Sequence, residues 1–168
     1  MDNIYDFNES IKVGSSGEQI VINWLCTLPT VLSVEDVSAQ PFYQDRDIDF
    51  IVHTTQGQDL TIELKSDTYT TGNLAYETLS SIEVNSLGCM RKSQAQYLFY
   101  YFLKWDKLYI FKFDEFRNWC ESHLTNYRRV EVANYRRDGS LYHSENWLIK
   151  LNDLENQTCL DKIIYNIS

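Results

Sequence analysis

The 168-residue chain has little of several residue types that mark particular protein classes. It contains two prolines and six glycines, which excludes collagen-like and low-complexity disordered chains. No apolar run is long enough to span a membrane, and the acidic beginning of the chain is unlike a secretory signal. We therefore expect one folded domain over residues 1–168 that works in the cytoplasm.

Cysteine and histidine are also sparse, and their spacing is unlike that of metal-binding motifs. Neighbouring cysteines are 31 or more residues apart, so no CxxC pair exists, and the three histidines are scattered. This spacing argues against a structural zinc site and against a disulfide framework. The cysteines are Cys26, Cys89, Cys120 and Cys159.

Basic residues are fewer than acidic ones, 15 against 24, which gives a net charge of −9. That total disfavours a polyanionic partner, but the charge is unevenly distributed. Residues 1–90 hold 14 acids and 3 bases, whereas residues 91–168 hold 10 acids and 12 bases. Basic side chains in the second part are either phosphate contacts or solubilising groups at strand ends. They are Arg91, Lys92, Arg128, Arg129, Arg136 and Arg137.

Hydrophobic periodicity predicts one helix and three strands in the first part of the chain. Residues 15–28 show an apolar helical stripe, with Ser15 and Glu18 as a capping box at the start and Pro29 at the end. Strands are expected at 31–37, 47–53 and 59–66, with a turn at 54–58. In the second of these strands, alternation predicts Ile48, Phe50 and Val52 on one apolar face. Residues 67–92, rich in Thr, Ser and Asn, are expected to be irregular.

The second part of the chain predicts a mixture of helices and strands. We expect helices at 93–104, from Asp114 onward and at 152–165, and strands at 107–113, 127–135 and 141–151. Most of the aromatic side chains, 14% of the chain, lie at core spacing, so we interpret them as packing and not as a base-stacking surface. The fold class is therefore α+β with a mixed sheet.

Three charged residues share the polar face of the predicted first hairpin. Ile62 and Leu64 alternate with Glu63 and Lys65, and Asp49 lies on the adjacent strand. Two carboxylates brought together repel each other unless a cation is bound, and Mg²⁺ prefers such oxygen ligands. A neighbouring lysine can orient a water molecule or neutralise charge on a phosphate. The hairpin thus predicts metal-assisted phosphodiester hydrolysis.

Asp49, thirteen further residues and then Glu63-Leu64-Lys65 resemble the signature of the PD-(D/E)XK nuclease superfamily. The resemblance implies a restriction-endonuclease-like αβββαβ core over residues 15–113, with residues 114–168 as a C-terminal α-β-β-α extension. Gln96-x-x-x-Tyr100 is similar to a further sequence element found in some members of the superfamily. The segment from Glu63 to Glu77 is similar to small phage or mobile-element endonucleases. One departure is Ile48, where the name of the motif has proline.

The resemblance also implies the roles of the site residues. Asp49, Glu63 and the backbone carbonyl of Leu64 would bind Mg²⁺, for which Mn²⁺ would substitute, and Lys65 would position or activate the attacking water. Glu18 would bind a second metal or orient the first. Further candidates around the site are Asp67, Glu77 and Gln96. The implied activity is a Mg²⁺-dependent endonuclease that cleaves double-stranded or branched DNA, as a homodimer with one site for each strand.

Two alternatives remain open from the sequence. The acidic first part would suit a non-catalytic protein that mimics DNA and inhibits a nucleic-acid-binding partner. Alternatively, the chain keeps the nuclease fold as a catalytically silent DNA-binding protein, although it retains the whole Asp-Glu-Lys set. Each acidic residue also has a structural interpretation: Glu18, for example, fits a capping box with Ser15.

Overall fold

The computed structural model describes residues 7–136 and 138–168. It begins with helix α1, Phe7–Thr27, so the predicted start at the Ser15 capping box is wrong, because the helix runs through Ser15. The predicted end is confirmed, since Pro29 follows the last turn. Within the described residues, no helix combines the length and the apolar content that crossing a membrane requires.

Six strands form the first sheet, in the order β1-β2-β3-β6-β7-β10. β3 and β6 run parallel, and the other neighbours are antiparallel. The mixed α+β class predicted from the sequence is confirmed. The strands are β1 Val31–Asp36, β2 Phe50–Thr54, β3 Asp59–Asp67, β6 Tyr97–Phe102, β7 Lys107–Lys112 and β10 Leu160–Tyr165.

A second, antiparallel sheet of four strands has the order β5-β4-β9-β8. Its strands are β4 Asn73–Ser81, β5 Ser86–Leu87, β8 Arg128–Tyr135 and β9 Leu141–Lys150. The remaining α-helices are α2 Pro41–Gln44, α3 Cys89–Lys92, α4 Phe113–His123 and α5 Leu151–Leu154. Strands β8 and β9 confirm the predicted hairpin, whereas α4 begins without the predicted cap, because Asp114 lies inside its first turn.

The described residues form a core of two hydrophobic clusters. One contains Val21 and Leu25 of α1 with Ile62 and Leu64 of β3, and the other joins the first sheet to the second sheet and α4. The alternation predicted for β3 is therefore confirmed. Ile48 does not share the face of the α1-side cluster as predicted, because it packs in the other cluster and precedes the start of β2.

The predicted helix at 93–104 is wrong, since most of this segment is strand β6. Residues 98–102 are each at most 5% exposed, because β6 is central in the sheet and is covered on both faces. A strand buried on both faces is apolar throughout, so its sequence also satisfies a helical pattern. Gln96 and Tyr100 consequently do not share a helix face: Gln96 precedes β6 and Tyr100 lies within it.

Two further secondary-structure predictions are wrong. The segment 67–92, expected to be irregular, contains β4, β5 and α3, and the buried side chains of β4 alternate at Leu74, Tyr76 and Thr78. The helix expected at 152–165 is replaced by the short α5 and by β10, which pairs with β7. β10 contains consecutive isoleucines, Ile163 and Ile164, and such β-branched residues favour strands.

Candidate functional site

Asp49 and Glu63 are brought together by the pairing of the chain before β2 with β3. The backbone N–H of Asp49 donates to the Ile62 carbonyl at 2.9 Å, which continues the ladder beyond the end of β2. The N–H of Leu64 donates to the Asp49 carboxylate at 2.8 Å. These two bonds fix the Asp49 side chain against β3, where Asp49 and Glu63 influence each other's ionisation.

Glu63 is buried and Lys65 is its cationic neighbour. The Glu63 side chain is 5% exposed, whereas that of Lys65 is 39% exposed, and Lys65 Nζ lies 3.2 Å from Glu63 Oε1. The alternation of β3 directs both side chains to the face opposite Ile62 and Leu64. The sequence prediction that Asp49, Glu63 and Lys65 come together therefore agrees with the geometry.

Burial shifts the ionisation of both carboxyl groups in the same direction. Desolvation raises the pKa of Glu63 to about 8. The positive charge of Lys65 opposes this rise, and the negative charge of Asp49 adds a smaller one. Desolvation also raises the pKa of Asp49, although the Leu64 N–H opposes the shift. Near neutral pH the buried Glu63 carboxyl group is therefore mainly protonated.

Lys65 remains a cation at neutral pH. Its pKa lies well above the usual value because of the Cys89 sulfur in its thiolate form, and then because of the carboxylates of Glu63 and Glu77. Burial in turn raises the pKa of the Cys89 thiol far above neutrality. The thiol is therefore uncharged at neutral pH. With a proton also on Glu63, the negative charge near the ammonium group comes from the carboxylates of Glu77 and Asp49.

Glu63 and Lys65 lie in a cleft of about 230 Å³ between β3, β4, β5 and α3. Two further interactions shape its walls: Lys92 Nζ lies 3.1 Å from Asp47 Oδ1, and the Cys89 N–H donates to Glu77 Oε1 at 3.2 Å. The lining residues are Asp47, Glu63, Lys65, Glu77, Ser80, Ser86, Leu87, Cys89 and Lys92.

Glu18 approaches the site from α1 and does not line the cleft. Burial raises its pKa, and the negative charges of Asp49 and Asp36 add to the shift, which places Glu18 in the electrostatic field of Asp49. The helix can lie this close to β3 because residue 17 is glycine: a Cβ there would overlap the Ser66 hydroxyl. The sequence signal for this contact is a glycine inside a helix.

Of the three further candidates around the site, only Glu77 lines the cleft. Asp67 accepts a hydrogen bond from the Tyr100 hydroxyl at 2.8 Å, and the same hydroxyl accepts one from the Ala75 N–H. These bonds tie β3, β6 and β4 together. Gln96 accepts from the Thr61 N–H at 3.0 Å and joins β3 to the start of β6.

The basic candidates are dispersed over the described surface. Lys92 alone among those described lines the cleft. Arg91 makes two hydrogen bonds to Glu121, at 2.7 and 2.8 Å, so its guanidinium is engaged by a carboxylate. Arg129 is likewise paired with carboxylates, and Arg136 lies over the ring of Tyr142. Arg128 is exposed on β8, and Arg137 lies outside the described residues.

Sequence reasoning missed the wall of the cleft that β4, β5 and α3 provide. Ser80, Ser86, Leu87 and Cys89 all lie in the segment that was expected to be irregular. The period-two alternation of β4 was the available signal. The short β5 and α3 carry no periodic signal of their own, because two and four residues are too few to show a period.

Two convergent carboxylates make Asp49 and Glu63 a fitting pair for one divalent cation. Among the described residues, no group of three or more His, Cys, Asp and Glu side chains is arranged to hold a metal ion. Any further oxygen ligands would therefore come from the backbone, from water or from a substrate, all of which Mg²⁺ accepts.

Comparison with protein-family models, with curated proteins and with solved structures found no match for this chain.

Proposed function

We propose that this protein is a Mg²⁺-dependent nuclease that hydrolyses phosphodiester bonds in DNA. The observation that carries the proposal is the clustering of Asp49, Glu63 and Lys65 on β3 and the chain beside it. The Leu64 N–H holds the Asp49 carboxylate at 2.8 Å next to Glu63, Lys65 Nζ lies 3.2 Å from Glu63 Oε1, and Glu63 and Lys65 line the cleft. Two carboxylates and a lysine at this spacing supply the metal ligands and the cation that phosphodiester hydrolysis needs.

Asp49 and Glu63 would hold the cation in place of the proton that Glu63 carries without it. When bound, Mg²⁺ polarises a phosphoryl oxygen and lowers the pKa of a bound water. The Leu64 carbonyl is the backbone ligand that the resemblance implies, and the Leu64 N–H already holds Asp49 in position. Glu18, in the field of Asp49, would orient this carboxylate or contribute to a second cation.

Lys65 acts in this proposal as a charged hydrogen-bond donor and not as a base. The surrounding negative groups keep its pKa high, so the proton stays on Nζ at neutral pH. Lys65 Nζ lies 3.2 Å from Glu63 Oε1 in the structure, and a cation held by Glu63 would compete for the same carboxylate oxygens. Lys65 can then donate to the attacking water or to a phosphate oxygen.

The order of elements supports a nuclease core of this family. A helix is followed by three antiparallel strands and then by a strand parallel to the third, over α1, β1, β2, β3 and β6. The crossover between β3 and β6 departs from the family pattern, because β4, β5 and α3 take the place of a long helix. This crossover supplies one wall of the cleft.

A cleavage assay tests the proposal directly. Purified protein is incubated with supercoiled plasmid, a four-way junction and a single-stranded oligonucleotide, in Mg²⁺, Mn²⁺ or EDTA. We expect metal-dependent cleavage by the wild type and at least a hundredfold loss in Glu63→Gln and in Lys65→Ala. The matched controls are Asp161→Asn and Lys104→Ala, which change exposed residues outside the cleft and keep full activity. Equal activity in all five proteins would refute the assignment.

Calorimetry with Mn²⁺ separates the nuclease from a non-catalytic DNA mimic. The proposal predicts Mn²⁺ binding that is lost in Asp49→Asn and retained in Asp161→Asn. A mimic uses its carboxylates as phosphate substitutes and needs no cation. Absence of Mn²⁺ binding by the wild type would therefore favour the mimic. Sedimentation of the protein with and without DNA tests the proposed homodimer.

A further inference from the structure

The cleft has a floor that a substrate reaches only by entering it. The Glu63 side chain is 5% exposed, and the available volume of about 230 Å³ is below the roughly 300 Å³ at which pockets for drug-sized ligands begin. This space admits one phosphodiester group with a flanking sugar or base, but not two paired strands. A nucleotide whose sugar or base lies within the cleft is therefore separated from a complementary strand.

The mouth of the cleft offers complementary chemistry for one nucleotide. The Lys92 side chain on α3 is 40% exposed and lies on one wall. Its ammonium group is 3.1 Å from Asp47 Oδ1, so a phosphate would compete with this carboxylate for Lys92. Leu87, at the end of β5, lines the cleft and is 51% exposed, so it presents an apolar surface beside the charged floor. An ammonium group suits a phosphate, and an apolar side chain suits the face of an unstacked base.

The β4–β5 hairpin holds Leu87 in this position. The Ser80 hydroxyl lies 3.0 Å from both the Leu87 carbonyl and the Ser86 hydroxyl, and the Gly88 N–H donates to the Thr78 carbonyl at 3.0 Å. Residue 88 has to be glycine for this packing, because a Cβ there would lie 2.5 Å from the Glu77 carbonyl oxygen. Leu87 is thus an exposed apolar residue on a braced hairpin.

We infer that the cleft takes an unpaired nucleotide, with Lys92 at a phosphate and Leu87 against the base, so that the substrates are single-stranded, flapped or bulged nucleic acids. This inference rests on the proposed nuclease activity and narrows its substrate class. A fully paired duplex has to open a base pair before its phosphate reaches the floor, and this opening carries a free-energy cost. Strands that are already unpaired avoid that cost.

The experiment compares one labelled sequence in three forms: a single strand, a duplex with a central unpaired bulge, and a hairpin-closed duplex without free ends. Cleavage in Mn²⁺ is measured as kcat/KM for each. We expect the single strand and the bulge to be cleaved at least tenfold faster than the closed duplex. Leu87→Ala is expected to lower kcat/KM on the single strand about fivefold. Val84→Ala is the control, since Val84 is 68% exposed on the same hairpin and does not line the cleft.

The outcomes separate this inference from the proposed function. Cleavage of the closed duplex at the rate of the single strand overturns the inference and leaves the nuclease assignment intact. Equal effects of Leu87→Ala and Val84→Ala overturn the role of Leu87. Absence of cleavage of every substrate overturns the nuclease proposal and this inference with it. Thermal melting of both variants checks that they are folded, which we expect because both positions are exposed.

Discussion

Replacement of Glu63 by glutamine should remove a pH dependence of stability that the wild type carries. Burial raises the pKa of Glu63 from 4.5 to about 8. Between these values the folded chain holds a proton that the unfolded chain has released, so stability falls as the pH rises. The stabilisation from this group is complete below pH 4.5 and is lost as the pH passes through 8. Glutamine is an uncharged isostere, so the variant lacks this contribution.

The size of the effect follows from the shift. Each pH unit between the two pKa values lowers the free energy of unfolding by about 1.4 kcal/mol. Between pH 6 and pH 9 the wild type should therefore lose roughly 2 to 3 kcal/mol more than Glu63→Gln, because the fall levels off above pH 8. For a chain of this size that difference corresponds to roughly 5 to 10 °C in melting temperature.

Urea unfolding of both proteins at pH 6 and pH 9, in EDTA, measures this difference. EDTA is needed because a divalent cation would hold Glu63 ionised and cancel the effect. Asp161→Asn, at an exposed carboxylate on β10, serves as the control and should follow the wild type at both pH values. If the wild type and Glu63→Gln lose the same stability, Glu63 titrates normally and its burial does not raise its pKa.

Three further predictions concern the cation and the supports of the site. Because Glu63 must lose its proton to bind a cation, Mn²⁺ affinity should rise up to tenfold per pH unit from pH 6 to 8, with proton release seen by calorimetry in two buffers. Urea unfolding should show that Gly17→Ala destabilises the fold by about 1 to 3 kcal/mol, because the added Cβ overlaps Ser66. Ser16→Ala, at the neighbouring exposed position, should leave the stability unchanged. Arg117→Ala should cost about 2 kcal/mol, measured in the same way, because the guanidinium donates to two backbone carbonyls in and just after α3.

The part of the site on the first hairpin was predictable because its signal is local. Alternation in β3 places Glu63 and Lys65 on one face, and a short turn fixes the register with the strand that follows Asp49. No long-range information is needed for this arrangement. Alternation predicted the wrong face for Ile48, because Asp47 has a φ of 45° and the chain there is not a regular strand.

The remainder of the cleft depends on contacts between distant segments, which local patterns do not encode. β6 was mistaken for a helix because a strand covered on both faces has no period-two alternation. The second sheet pairs β4 with β9, about seventy residues apart, and β5 is too short to be recognised alone. Leu87 and Cys89 lie at the cleft because the second sheet packs there. Their proximity to Lys65 could therefore be seen only in the tertiary structure.

The acidic character of the chain has a consequence at the cleft itself. Its lining contains three carboxyl groups, on Asp47, Glu63 and Glu77, and two ammonium groups, on Lys65 and Lys92. Counted with a proton on Glu63, the lining is neutral, and with Glu63 ionised its formal charge is −1. Neither state attracts a phosphodiester strongly, whereas one divalent cation in place of the proton gives a formal charge of +1. The net charge of −9 is therefore compatible with a nucleic-acid substrate, provided that the strand and the cation bind together.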